Sequence, residues 1–388
     1  MNILAIKGGG ARGIIVTRFL AEVEKITNMH PSKLFDYMGG SSVGALIACG
    51  LLVTDDGSNP KYTAKQIHED FIKDMSSAFS WTVGSWISSG FGFIGSSYTN
   101  DGLLKISARL CEDKKLGCLL KPIIFPTYDR ITHHAYYFDR DRDADIPLHD
   151  VIMSCTAAPT YFPSHRMSFN QKQYDMIDGG IVANNTAELV FLQATKNMQC
   201  IDKSKILELI IGTGIFTSAP TEKQGLLSWL PSIVDTLMHA GNENELFELS
   251  LSLPPDNYYM LDVPLDTKYY YIDDIRKETT EYYIKETENW IKENKNQIKL
   301  FCYKLMKNKN MDIPEKLQND YTNIMFTIET EEQSDALELT DDMLENDLFD
   351  SDKPRLNIIT SDKEDDIVDN IVDNIVDNIV DNKEIQNN

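Results

Sequence analysis

The sequence predicts an α/β protein built on a mainly parallel sheet, and three stretches carry that prediction. Residues 3–6 are a short apolar run that leads straight through Gly8-Gly9-Gly10-Ala11-Arg12-Gly13 into an amphipathic segment. Leu34 to Met38 leads through Gly40-Ser41-Ser42-Val43-Gly44 into the apolar run Ala45-Leu46-Ile47-Ala48-Cys49. Residues 206–214, ILELIIGTG, read as a strand buried on both faces that closes in a glycine turn.

Taken in order, residues 14–27 place Val16, Phe19, Leu20, Val23 and Ile26 at three- and four-residue spacing, the period of one helical face, with Glu22, Glu24 and Lys25 on the other. Strand, glycine loop and helix in succession gather unpaired backbone N–H groups around one point, where an anion or a developing oxyanion is held. Two functions compete for that loop. A nucleotide phosphate site lacks the G-x-G-x-x-G or G-x-x-x-x-G-K-[ST] spacing and an acidic residue about 20 positions on. The other is an oxyanion hole serving Ser42. Arg12 reads first as the residue that fixes the loop by backbone contacts, and second as a substrate contact.

Ser42 stands at the centre of a G-x-S-x-G pattern at a strand–helix junction. Gly40 and Gly44 let the two backbones approach and leave the hydroxyl exposed at the sheet edge. The plainer reading of five such residues alone is an ordinary glycine turn. Residues 44–53, apolar all round, predict a buried helix.

Residues 75–98 combine Phe79, Trp81, Trp86, Phe91 and Phe93 with many serines and glycines and no steady period. A buried irregular loop is the plainer reading, and a lid or membrane-touching loop the alternative. A short helix is expected over 100–111, and a strand over 121–130 with Pro122 at its edge. Residues 151–165 read as a helix stopped by Pro159. Asp178 is followed by Gly179 and Gly180, so a tight turn delivers the carboxylate, although an Asp-Gly pair alone is usually only a turn. Residues 273–307 predict one or two charged helices.

The chain has 388 residues and a net charge of −23, of which −16 lies in residues 327–388. An acidic balance argues against general nucleic-acid binding, which needs a basic stripe. Six cysteines without paired spacing suggest neither a disulfide framework nor a zinc site, and no EF-hand spacing occurs in the acidic tail. No metal or cofactor is expected. With no readable secretory signal and no run long enough to span a membrane, a cytoplasmic location is expected, with peripheral membrane association. The expected division is a globular domain over 1–307 and an acidic, disordered tail over 308–388, ending in four tandem Ile-Val-Asp-Asn units at residues 367–382. A docking peptide for a basic partner is the sharper alternative for that tail.

Together, Gly8-Gly9-Gly10-Ala11-Arg12-Gly13, Gly40-Ser41-Ser42-Val43-Gly44 and Asp178-Gly179-Gly180 resemble the patatin-like phospholipase family over roughly residues 1–270. Ala157 to Pro163, Asn184-Asn185 and Gly212-Thr213-Gly214 resemble that family's other blocks. The resemblance implies a three-layer α/β/α fold and a Ser–Asp dyad that hydrolyses lipid acyl esters, with phospholipids or related glycerolipids as substrate. It makes Ser42 the nucleophile, Asp178 its general base, and residues 8–13 the oxyanion region. The chemistry agrees, because a serine hydroxyl needs a neighbouring base to take its proton before an acyl-enzyme can form.

A triad completed by His239 is formally available in the order Ser, Asp, His, but Ser42 comes after too few strands for an α/β-hydrolase. A catalytically silent lipid-binding scaffold, with the tail recruiting a partner, is the reading from a different class. Head group, sn position, hydrolysis against acyl transfer, and the need for a protein activator all stay open at this level.

Overall fold

Alternation along the strands decides how the layers form. In β1 (Asn2–Ile6), Leu4 and Ile6 enter one apolar core while Ile3 and Ala5 enter another on the opposite face. β2 (Tyr37–Gly40) divides Met38 from Tyr37 in the same way, and β3 (Ile123–Asp129) divides Ile123 and Phe125 from Ile124. A period of two with both faces apolar is the pattern of a strand covered on both sides.

The structure is a computed structural model that describes residues 1–79, 96, 98–199, 202–216 and 245–342, with side chains to residue 328 except 76 and 77. The first core packs α1 (Gly13–Thr27), α2 (Pro31–Leu34), α3 (Val43–Leu52) and, beyond α4 (Ala64–Ala78) and α5 (Asp101–Cys111), α6 (Leu148–Cys155). The second core packs α7 (Ala187–Met198) and the helical residues 245–252. α8 (Lys277–Glu293) and α9 (Lys295–Asn308) join the first core through Tyr283 and Phe301. The result is the expected three-layer α/β/α fold.

The remaining strands are β4 (His134–Asp139), β5 (His165–Phe169), β6 (Lys172–Asp178), β7 (Leu207–Ile211), β8 (Ile215–Phe216), β9 (Tyr258–Leu261) and β10 (Pro264–Leu265). The main sheet runs β5-β6-β3-β2-β1-β7-β9, with β4 also on β3. From β3 to β9 every pairing is parallel, while β4, β5 and β6 form an antiparallel end.

β3 positions the site. β4 covers one of its edges from Ile124 to Asp129, so β2 and β6 share the other, at Ile123–Ile124 and Thr127–Asp129 respectively. β2 runs parallel to β3 and β6 antiparallel, so their C-terminal ends point at each other. Pro126 lies in the gap between them, where its missing N–H leaves no ladder bond unmade.

Local chemistry explains the shifted boundaries. The expected strand from Leu34 begins only at Tyr37, because Pro31 starts a helical turn capped by the His30 side chain, which accepts from Ser32 N–H at 3.0 Å. Pro122 precedes β3, and the proline inside the strand is Pro126. The first compact unit runs from Met1 to Ile328, past the expected boundary at 307. Within it Leu317 is buried and the Tyr321 ring stacks on Tyr303 with centroids 3.7 Å apart. Both residues near this junction belong to regular helix, Tyr321 to α10 (Glu315–Asp342). The aromatic stretch 80–95, His239 and the repeats at 367–382 lie outside the described residues. No helix among the described residues is long and apolar enough to cross a membrane.

Candidate active site

The C-terminal ends of β1, β2 and β7 open on one edge of the sheet, where parallel α/β sheets place their ligands. The end of β2 feeds Ser42, which has φ 53° and ψ −124° although it is not glycine. Holding such a conformation costs on the order of 1–3 kcal/mol. The turn is fastened by Ser41 N–H donating to the Ile6 carbonyl at 3.2 Å and Gly44 N–H donating to the Ser41 carbonyl at 2.7 Å. A Cβ on Gly44 would lie 2.5 Å from the Ile6 oxygen, and one on Gly40 would lie 2.5 Å from the Gly44 carbonyl carbon. Strand and helix therefore cross too closely for any side chain at either position.

Asp178 ends β6, and its N–H donates to the Ala157 carbonyl at 3.0 Å, so the Ala157-Ala158-Pro159 stretch fixes it. Oδ1 accepts from Gly180 N–H at 2.8 Å, the tight turn expected after the aspartate. Burial raises the carboxyl to a pKa of about 6, opposed by the Ser42 hydroxyl and the Gly180 N–H. Oδ2 nevertheless makes no hydrogen bond that meets strict geometry. The Ser42 hydroxyl is thus close enough to act on the charge without being fully aligned with Oδ2.

The glycine loop reaches the same point, since a Cβ on Gly8 would lie 3.1 Å from Ser42 Cβ. Its amides divide into two sets. Gly8 donates to the Asn184 carbonyl at 3.2 Å, Ala11 to the Ile272 carbonyl at 2.8 Å, and Arg12 to the Gly9 carbonyl at 3.1 Å. Gly13 N–H turns back to Ala11 and Gly10. Gly9, Gly10 and, at the start of α3, Val43 donate to no acceptor among the described residues. Of residues 8–13, then, only Gly9 and Gly10 have N–H groups without an acceptor among the described residues. Val43, which sequence reading left out, adds a third at a helix N-terminus.

Other side chains hold the loop rather than face the cavity. The Thr213 hydroxyl donates to the Gly8 carbonyl at 2.7 Å, the role of the Gly212-Thr213-Gly214 turn. Arg12 is buried, donates from Nη1 to the Tyr270 carbonyl at 3.0 Å, and lies over the Phe216 ring at 5.0 Å. Tyr270 and Ile272 act through backbone carbonyls, which carry no residue signature, so sequence reading missed them.

Ser42 and Gly10 open into a largely apolar pocket. Tyr161, Phe162 and Ile272 line it together with residues of α3, α4 and α5. Among the described residues no group of three or more His, Cys, Asp or Glu is arranged to hold a metal.

The patatin-like phospholipase family model matches residues 4–191. Patatin-like protein 2 of Arabidopsis thaliana is 27% identical over 291 residues, covering 64% of this chain and 71% of that one. Patatin-like protein 1 of the same plant is 27% identical over 271 residues, covering 59% and 64%. A probable inactive patatin-3-Kuras 1 of Solanum tuberosum is 23% identical over 296 residues, covering 67% and 77%. The crystal structure of VipD from Legionella pneumophila overlaps 84% of this chain and 73% of its own at 13% identity and a TM-score of 0.34. Residues 4–191, which hold the glycine loop, Ser42 and Asp178, are a patatin-like phospholipase domain.

Proposed function

We propose that the protein is a lipid acyl hydrolase of phospholipase A type, acting on phospholipids or related glycerolipids at a membrane surface through Ser42 and Asp178. The observation that supports this most is the meeting of a strained serine, a buried carboxylate and two free loop amides at the mouth of an apolar pocket. Asp178 Oδ2 takes the Ser42 proton as Oγ bonds to the ester carbonyl carbon. The C–O bond to the glycerol oxygen then breaks, and that oxygen leaves with the proton from Asp178. Water then attacks the acyl-enzyme and gives a proton to Asp178, which passes it to Ser42 Oγ as the acyl–Oγ bond breaks and the fatty acid leaves. Another alcohol in place of water gives acyl transfer by the same steps. The amides of Gly9, Gly10 and Val43 meet the charge that grows on the carbonyl oxygen, where losing one donor costs about 3 kcal/mol in hydrolases.

The test combines labelling by a fluorophosphonate serine probe with fatty acid release from mixed phospholipid vesicles, on wild type, Ser42→Ala and Asp178→Asn. Labelling and release in wild type are expected, with labelling lost in Ser42→Ala and release down about a thousandfold in both variants. A wild type that neither labels nor releases fatty acid, with or without added cell extract, overturns the enzyme in favour of a lipid-binding scaffold.

A further inference from the structure

Among the glycines near the site, Gly50 has no structural reason to be one. It lies within α3, where glycine is less favourable than alanine. Its φ is not positive, so the backbone accepts any L residue. A Cβ built on it would meet nothing nearer than Ile67 Cδ1 at 3.5 Å and Leu110 Cδ1 at 3.8 Å, both ordinary contacts with the ends of side chains. Gly40 and Gly44, by contrast, face backbone at 2.5 Å. What the missing side chain at 50 does is leave space in the pocket that begins at Ser42.

The geometry of that space is linear. Val43, Leu46, Ile47 and Gly50 line it at the three- and four-residue spacing of one face of α3. α4 runs the other way, since Phe71 packs near Val43, both against Gly13, whereas Ile67 meets Gly50. α5 closes the third side, tied to α4 by the ion pair of Arg109 with Asp74. The seven helical steps from Val43 to Gly50 make a run of about 10 Å. Extended carbon chains advance roughly 1.25 Å per carbon, given C–C bonds of about 1.5 Å, so the straight run takes on the order of eight carbons.

Resting on the acyl-hydrolase reading, we infer that the acyl chain of the substrate lies down this channel along α3 and that Gly50, against Ile67 and Leu110, sets how long a chain is accepted. The carbonyl sits at Ser42, and the chain's methyl end approaches the face that Gly50 leaves empty. A side chain at position 50 shortens the channel, and a smaller residue at 67 deepens it.

The experiment is hydrolysis of p-nitrophenyl butanoate, octanoate, dodecanoate and hexadecanoate by full-length wild type, Gly50→Ala, Gly50→Leu and Ile67→Ala. Gly50→Leu is expected to lower kcat/KM for octanoate, dodecanoate and hexadecanoate by about tenfold or more while leaving butanoate within about twofold. Gly50→Ala gives a smaller change of the same kind without loss of thermal stability, which separates channel filling from misfolding. Ile67→Ala moves the preference toward the longer esters. Loss of activity on all chain lengths in parallel, or an unchanged chain-length profile in every variant of a working enzyme, overturns the channel assignment alone. A wild type that hydrolyses none of the esters and does not take the fluorophosphonate probe overturns the acyl-hydrolase reading and this inference together.

Discussion

Asp178 is a residue that works against the fold it belongs to. Its carboxyl is buried, and burial raises its pKa from the ordinary 3.8 to about 6. A group whose folded pKa is raised contributes most stability below its unfolded pKa, and that contribution is lost as pH rises through the folded value. Near pH 7 the ionised Asp178 thus destabilises the native state by up to about 3 kcal/mol, from a shift of roughly two units at 1.36 kcal/mol each. Asp178→Asn keeps the acceptor for Gly180 N–H, so it is expected to abolish hydrolysis yet raise thermal stability at pH 7, with little gain at pH 4. Melting curves at the two pH values check this, and equal shifts at both would count against the burial cause. Activity is expected to rise with pH through about 6 as the base ionises.

At the scale of elements, three strand ends are clamped behind the glycine loop. Lys7 continues β1 and its N–H donates to the Ile211 carbonyl at the end of β7 at 3.0 Å. Its buried Nζ pairs with Asp262 Oδ2 at 3.3 Å, just past β9. Asp262 Oδ1 in turn accepts from Gly214 N–H at 2.6 Å and Val263 N–H at 3.1 Å. Removing one partner of a buried pair leaves the other charge uncompensated, which costs about 3–5 kcal/mol. Lys7→Met is expected to lose stability on that scale, and the double variant Lys7→Met with Asp262→Asn to recover part of it. If the loop amides act on the transition state, the surviving Lys7→Met enzyme shows a fall in kcat larger than any change in KM. Denaturation curves with steady-state kinetics on one ester give both readings.

For the whole molecule, the question is where the folded unit stops. Composition places the boundary after residue 307, whereas the compact unit extends to Ile328 and contains the buried Leu317 and the Tyr303–Tyr321 stack. Aromatic stacking adds about 0.5–1.5 kcal/mol beyond burial, and a buried leucine contributes about 1.5–3 kcal/mol. A chain ending at 328 is therefore expected to melt and hydrolyse like the full protein, and one ending at 307 to melt several degrees lower. Equal melting temperatures for the two truncations would place the boundary at 307 after all.

What the sequence by itself determined is the set of candidate residues and their order along the chain. The glycine loop, Ser42, Asp178, and the helices and strands that flank the first two are local features, set by turn residues and by periods of two or 3.6 that need no partner to be read. The antiparallel end β4–β6 was not legible, because half-exposed strands such as His134–Asp139 carry no clean alternation. Only the tertiary structure decided that β2 and β6 meet head to head along one edge of β3 around Pro126, which brings Ser42 to Asp178 across 136 positions of chain. It also decided which loop amides stay free. Gly8, Ala11 and Arg12 lose theirs to carbonyls at Asn184, Ile272 and Gly9, while those of Gly9 and Gly10 meet no acceptor among the described residues. Backbone partners distant in sequence leave no mark on residue type, since every residue except proline offers the same N–H and every residue the same carbonyl.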